Sequence, residues 1–87
     1  MTAREVLERV QQAARTRQYD VSNHAWDRMN ERGVTIQDVK SAMESATRAT
    51  WDDAEETWKV SGGTDLDGDP LILCVVVNWN VLIVTVF

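Results

Sequence analysis

The sequence has one histidine, one cysteine and no uninterrupted apolar run long enough for a membrane-spanning helix. A single cysteine cannot form a disulfide within the chain, and the apolar run around Cys74 favours a small buried side chain. One histidine and one cysteine cannot supply the usual zinc ligands, so we predict no metal and no other cofactor. The stretch from Leu71 to Phe87 is broken by Asn78-Trp79-Asn80 and is rich in valine, which predicts two strands.

The N-terminus lacks the apolar segment and cleavage site of a signal peptide, and we expect a cytoplasmic protein without a membrane partner. Eighty-seven residues predict one domain, residues 1–87. The net charge is −5, and residues 49–87 carry a single lysine against seven acidic side chains. General nucleic-acid binders are usually basic. The composition therefore disfavours that class and leaves only a local basic surface in the first half.

Capping motifs and helical periodicity predict helices in the first half of the chain. Thr2 with Glu5, and Thr35 with Asp38, have the spacing of capping boxes. Gly33 is the kind of residue that ends a helix. The predicted helices comprise residues 3–16, a segment from a cap at Ser22 or Asn23 to Arg32, and residues 36–47, with residues 17–21 as a connector.

The second half of the chain changes to the pattern of strands. Residues 57–61 alternate, residues 71–77 and 81–87 are apolar runs joined by a tight hairpin, and Thr50-Trp51 begins a short edge strand. The acidic segment Asp65–Asp69 resembles the start of a calcium loop, but Pro70 and Val76 stand where such a loop has its sixth-position glycine and twelfth-position glutamate. The segment is therefore predicted to be a turn. Two or three N-terminal helices packed on an antiparallel sheet of three to four strands predict an α+β fold with two layers.

The most informative stretch contains His24, Arg28 and Arg32, which are spaced by four residues. A helix brings such residues to one face, where an imidazole and two guanidiniums can hold a phosphate and exchange a proton. Lys59, the only lysine of the second half, would add positive charge for substrate binding. The same groups could instead hold the helix to the sheet through ion pairs and backbone hydrogen bonds.

Four tryptophans are many for this length, and they allow two interpretations. Tryptophans on strands usually pack in a core or an interface. On an exposed sheet face they can instead stack on RNA bases. Trp58, next to Lys59, is therefore a second candidate substrate-binding residue.

The segment from His24 to Thr35 resembles a hallmark of a small bacterial domain of unknown function, number forty-two fifty-eight. That hallmark reads His-Ala-x-x-Arg-Met-x-Glu-Arg-Gly-Ile, and residues 59–62 and 84–87 resemble the family's later blocks. The family is similar to RelE/MqsR-type toxins of the barnase–EndoU–colicin–RelE group. The resemblance implies a RelE-like two-layer fold with His24, Arg28 and Arg32 as catalytic residues.

The resemblance also implies a function and a partner. It points to a type II toxin that cleaves mRNA and is neutralised by an antitoxin-like protein with a zinc finger or a helix-turn-helix. Two other functions stay open from the residues themselves. The acid excess and a surplus of apolar side chains on the sheet favour a non-catalytic interaction module, either a homodimer through the sheet or a regulator-binding protein. The acidic loops could also mimic nucleic acid and inhibit a basic protein.

Overall fold

Three helices and five strands make up the chain, and the computed structural model describes all residues from Met1 to Phe87. The elements are α1 (Ala3–Thr16), β1 (Tyr19–Val21), α2 (Asn23–Arg32), α3 (Ile36–Ser45), β2 (Arg48–Asp52), β3 (Thr57–Ser61), β4 (Leu73–Val77) and β5 (Val81–Val86). The strands form one sheet in the order β1-β5-β4-β3-β2. Helices on a meander of four antiparallel strands confirm the predicted α+β class.

Both predicted capping boxes are present. The hydroxyls of Thr2 and Thr35 each accept a hydrogen bond from the backbone N–H three residues later, at 3.2 and 3.1 Å. The carboxylates of Glu5 and Asp38 each accept one from the N–H of the capping threonine in return. These reciprocal bonds satisfy backbone donors that the first helical turn leaves free, and they define where α1 and α3 begin.

The structure differs from the sequence-based expectation in two connections. Residues 17–21 are not only a connector, because β1 pairs in parallel with β5, Tyr19 opposite Val81. The sheet therefore has a fifth strand and contains both parallel and antiparallel pairs. The sequence did not predict β1, because three residues are too few to show the alternation of a strand. The helix α3 ends at Ser45 instead of residue 47, because the backbone of Ala46 becomes extended with ψ 141° as the chain enters β2.

The pairing register assigns the strand residues to two faces of the sheet. Ala49, Val60, Leu73 and Val86 lie opposite one another across β2, β3, β4 and β5, and all four are buried. They belong to one core cluster of 18 residues, to which the three helices also contribute. We call this the first face. The neighbouring row, shifted by one residue, lies on the second face because side chains alternate along a strand.

One side of α3 holds the turn-rich link between β3 and β4. Asp38 Oδ1 accepts the N–H of Leu66 at 3.0 Å, and Ser45 Oγ accepts the N–H of Thr64 at 3.0 Å. Ala42, which lies between Asp38 and Ser45 along α3, packs its backbone against Gly63. Positions 38, 42 and 45 lie on one helical stripe, so a single face of α3 fixes the link.

Asp38 gives the fold a pH dependence that can be measured. Hydrogen bonds from the N–H of Thr35 and then of Leu66 lower the pKa of its carboxyl. The stability that this carboxylate adds is therefore present above its unfolded pKa of about 3.9 and is lost as the pH falls through the lower folded value. We expect Asp38→Asn to be less stable than wild type at neutral pH, with a difference that shrinks towards about pH 3 in urea unfolding.

Asp67→Asn is the matched control for this prediction. Like Asp38→Asn, it removes one carboxylate charge, here from the link itself. The Asp67 carboxylate accepts no hydrogen bond, and only the backbone N–H of Asp67 is engaged, with the carboxylate of Asp65. We expect a small effect on the unfolding midpoint. A stability difference for Asp38→Asn that stayed constant from neutral to acidic pH would contradict the assigned role.

Candidate functional site

The N-terminal turn of α2 is fastened to β5, and this fixes the position of His24. Ser22 Oγ accepts the N–H of Ala25 at 3.0 Å and donates to the carbonyl of Val84 at 2.9 Å. Ala25 and Met29, one turn apart, are buried in the core. The helix is therefore held by Ser22 and by burial. The imidazole of His24 is exposed and makes no hydrogen bond to another residue.

His24 and Arg28 line a cavity of about 340 Å³ together with Lys59. The cavity lies on the second face of the sheet, beside α2. Three paired residues of neighbouring strands form the floor of the cavity: Lys59 lies opposite Cys74, and Cys74 lies opposite Thr85. Other lining residues come from the end of β2, the β2–β3 turn, β3, β5 and the residue that follows β5: Asp52, Glu55, Thr57, Val84 and Phe87.

The two cations of the cavity are held differently. Arg28 is about one-third exposed, and its guanidinium lies 3.7 Å from the carboxylate of Glu31, an exposed pair of little energetic value that orients the arginine. Lys59 has no carboxylate within ion-pair distance, and its ammonium lies 5.9 Å from the centre of the Phe87 ring. Lys59 is therefore free to bind an anion, with a weak cation–π contact at rest.

The two carboxylates of the cavity also differ. Asp52 Oδ1 accepts the N–H groups of Ala54 and Glu55 at 3.1 and 3.2 Å, so it shapes the β2–β3 turn. The carboxylate of Glu55 is exposed and accepts no hydrogen bond. The two cations, Arg28 and Lys59, are thus matched in number by two carboxylates, of which only Glu55 has unengaged oxygens.

The floor of the cavity contains a thiol and a hydroxyl. Burial raises the pKa of the Cys74 thiol, while the charge of Lys59 and the hydroxyl of Thr57 oppose this rise. A thiol with a raised pKa is a poor nucleophile at neutral pH. Cys74 is buried, as expected from its apolar run, and we assign it no catalytic role.

Two of the predicted site residues lie outside the cavity. Arg32 is exposed at the last position of α2 and does not line it. Each step of four residues overshoots one turn by about 40°, so Arg32 is rotated by about 80° from His24 and lies about 12 Å further along the axis. Trp58 lies on the first face, with its ring centre 5.3 Å from that of Trp51. Adjacent strand residues face opposite ways, so Trp58 cannot share a site with Lys59.

Sequence reasoning missed Glu55, Thr57 and Thr85 as residues of the cavity. A signal for Thr57 was present, because it lies two residues before Lys59 on the same strand and therefore on the same face. The positions of Glu55 and Thr85 depend on how β2, β3 and β5 pair, which no local pattern in the sequence contains.

Residues 21–87 match the sequence profile of a family described as a domain of unknown function, DUF4258. The chain belongs to this family. The matched DUF4258 region includes every residue that lines the cavity, whereas α1 lies before it. Comparisons with curated proteins and with solved structures find no match.

Two further observations describe the DUF4258 chain. None of its helices is long and apolar enough to cross a membrane. No group of three or more histidine, cysteine, aspartate or glutamate side chains is arranged to hold a metal ion.

Proposed function

We propose that this DUF4258 chain is a toxin-like endoribonuclease that cleaves mRNA at the cavity lined by His24, Arg28 and Lys59. The observation that supports this is the shared cavity itself: a histidine and an arginine of α2 face a lysine of β3. A titratable imidazole beside two cations is a combination suited to phosphodiester cleavage. The helix α2 also begins at this cavity, and the positive end of its dipole favours a bound anion.

The proposed reaction is an intramolecular phosphoryl transfer in RNA. The 2′-oxygen attacks the adjacent phosphorus and gives its proton to a base. The bond from phosphorus to the 5′-oxygen breaks, and that oxygen takes a proton from an acid, leaving a 2′,3′-cyclic phosphate and a 5′-hydroxyl. Glu55 is the candidate base and protonated His24 the candidate acid, because neither is engaged in a hydrogen bond. Arg28 and Lys59 stabilise the charge that develops on the phosphate oxygens.

The proposal includes a partner and a compartment. A toxin of this kind would act in the cytoplasm and would be neutralised by an antitoxin-like protein, such as a zinc-finger or helix-turn-helix regulator. Such a partner would inhibit most directly by covering the cavity beside α2. The resemblance of residues 24–35 to toxin-related domains supports this part of the proposal.

A comparison of the Arg28→Ala and Arg32→Ala variants tests the proposed site. Both variants remove one arginine of α2, but only Arg28 lines the cavity. We expect Arg28→Ala to slow RNA cleavage by about 10²-fold or more. Arg32→Ala should stay within about twofold of wild type, since a distant exposed charge contributes little at physiological salt. Cleavage of labelled RNA, with and without ribosomes, and growth on expression are the measurements.

The same assay separates a second candidate function, a non-catalytic interaction module. This candidate is favoured by half-exposed apolar side chains on the second face, Val76 and Leu82, and by Trp79, which is 99% exposed at the β4–β5 turn. Under this function wild type and both variants leave RNA intact and growth unchanged. That result would refute the ribonuclease.

A further inference from the structure

The hydroxyl of Thr57 is the one buried side-chain polar atom in the structure without a hydrogen-bond partner. Thr57 itself is only 7% exposed. A buried hydroxyl without a partner loses its hydrogen bonds to water and gains nothing in return, which destabilises the folded state. Valine has nearly the same shape and avoids this loss. The threonine therefore calls for a reason other than stability.

The position of Thr57 supplies such a reason. It lies on the second face, two residues before Lys59, and lines the same cavity as His24 and Arg28. The Cys74 thiol of the same floor stays neutral because burial raises its pKa. The floor thus combines a free hydroxyl donor, a free ammonium and a thiol that does not repel an anion.

We propose that the Thr57 hydroxyl donates a hydrogen bond to a phosphate oxygen of the bound ligand, so that Thr57 and Lys59 form a phosphate subsite at the cavity floor. The ligand's identity as RNA phosphate rests on the proposed function. A hydrogen bond from a buried donor to a charged acceptor is among the stronger kinds in proteins. Because the hydroxyl is buried, contact requires neighbouring side chains of the cavity to move; Lys59, which lines the same cavity, is exposed and has no ion-pair partner.

Thr57→Val tests the subsite with two readouts that move in opposite directions. The melting temperature should stay equal to wild type or rise by up to about 8 °C, because the unpaired hydroxyl is removed without a change of shape. Binding should weaken by about tenfold or more, because the donor to a charged oxygen is lost. The ligands are inorganic phosphate and a 2′-deoxy dinucleotide, which cannot react because it lacks the attacking hydroxyl. Calorimetry measures their affinity.

Two variants control this experiment. Thr57→Ser keeps the hydroxyl and should bind within about threefold of wild type. Thr50→Val makes the same chemical change on the same face but outside the cavity, and should leave binding unchanged. A Thr57→Val protein that binds as tightly as wild type, or that loses stability, would overturn the proposal and make the hydroxyl a structural group.

The outcomes also separate this inference from the ribonuclease. Weaker binding by Thr57→Val in a protein that never cleaves RNA would support the phosphate subsite and refute the proposed function. Cleavage by wild type with unchanged binding by Thr57→Val would do the reverse. A wild-type protein that binds neither ligand would overturn the phosphate subsite, while the cleavage assay alone would decide the ribonuclease.

Discussion

Gly63→Ala is expected to leave little or no folded protein. A Cβ at this buried position would lie 2.1 Å from the carbonyl oxygen of Ala42 and 2.9 Å from its carbonyl carbon. Both atoms belong to the backbone of α3, which cannot yield without moving the whole helix. Overpacking a core costs about 1–3 kcal/mol and more where backbone is hit. The total stability of a domain this size is about 4–13 kcal/mol.

On α3, the contact that Gly63 makes with Ala42 lies between Asp38 and Ser45, which accept the hydrogen bonds of Leu66 and Thr64 that hold the link. Displacing Gly63 would weaken both. We therefore expect the melting temperature to fall by about 15 °C or more if the variant folds at all. Circular dichroism during heating and the yield of folded protein measure this effect.

Gly68→Ala is the matched control for Gly63→Ala. Gly68 has φ 86°, and a Cβ there would meet no atom within 4 Å. The only cost of this change is that alanine must adopt a left-handed backbone conformation, which destabilises the folded state by about 1–2 kcal/mol. Equal melting temperatures for the two variants would mean that the close approach to α3 gives way easily, and would refute the steric argument.

The sequence predicted the helices well because their signals are local. Each capping box spans four residues, and the apolar stripe of each helix repeats within the helix itself. Gly33 shows the same locality, since its φ of 67° is a conformation that glycine adopts without strain. The end of α3 could not be predicted as well, because Ala46 leaves the helix to enter β2, and that pairing joins distant parts of the chain.

The strands show where sequence reasoning stops. The apolar runs identified β4 and β5, but β1 became a strand only by pairing with a segment more than sixty residues later in the chain. Which residues of one strand share a face of the sheet could be predicted from the sequence, because side chains alternate along a strand. In β3 this alternation places Thr57 and Lys59 on one face and Trp58 on the other. The cavity itself needed the register of four strands, which tertiary packing determines.

His24→Ala is expected to reduce RNA cleavage by about 10²–10⁴-fold, the usual contribution of a positioned general acid or base. The side chain is exposed and makes no hydrogen bond, so the fold should not depend on it. Stability should change by less than about 0.5 kcal/mol. A large loss of rate with an unchanged melting temperature would therefore locate the effect in the chemistry.

The pH dependence of cleavage distinguishes proton transfer from simple binding by His24. If His24 transfers the proton, the His24→Ala variant should lose one limb of the wild-type pH–rate profile, whereas a pure binding role would lower the rate without changing the shape of the profile. Asn23→Ala, one residue earlier and outside the cavity, should keep both rate and profile. If His24→Ala is slow but its pH–rate profile keeps the wild-type shape, another group of the cavity transfers the proton and His24 only helps to hold the phosphate. If the rate is unaffected, the acid proposed here is wrong, whatever Arg28 and Lys59 contribute.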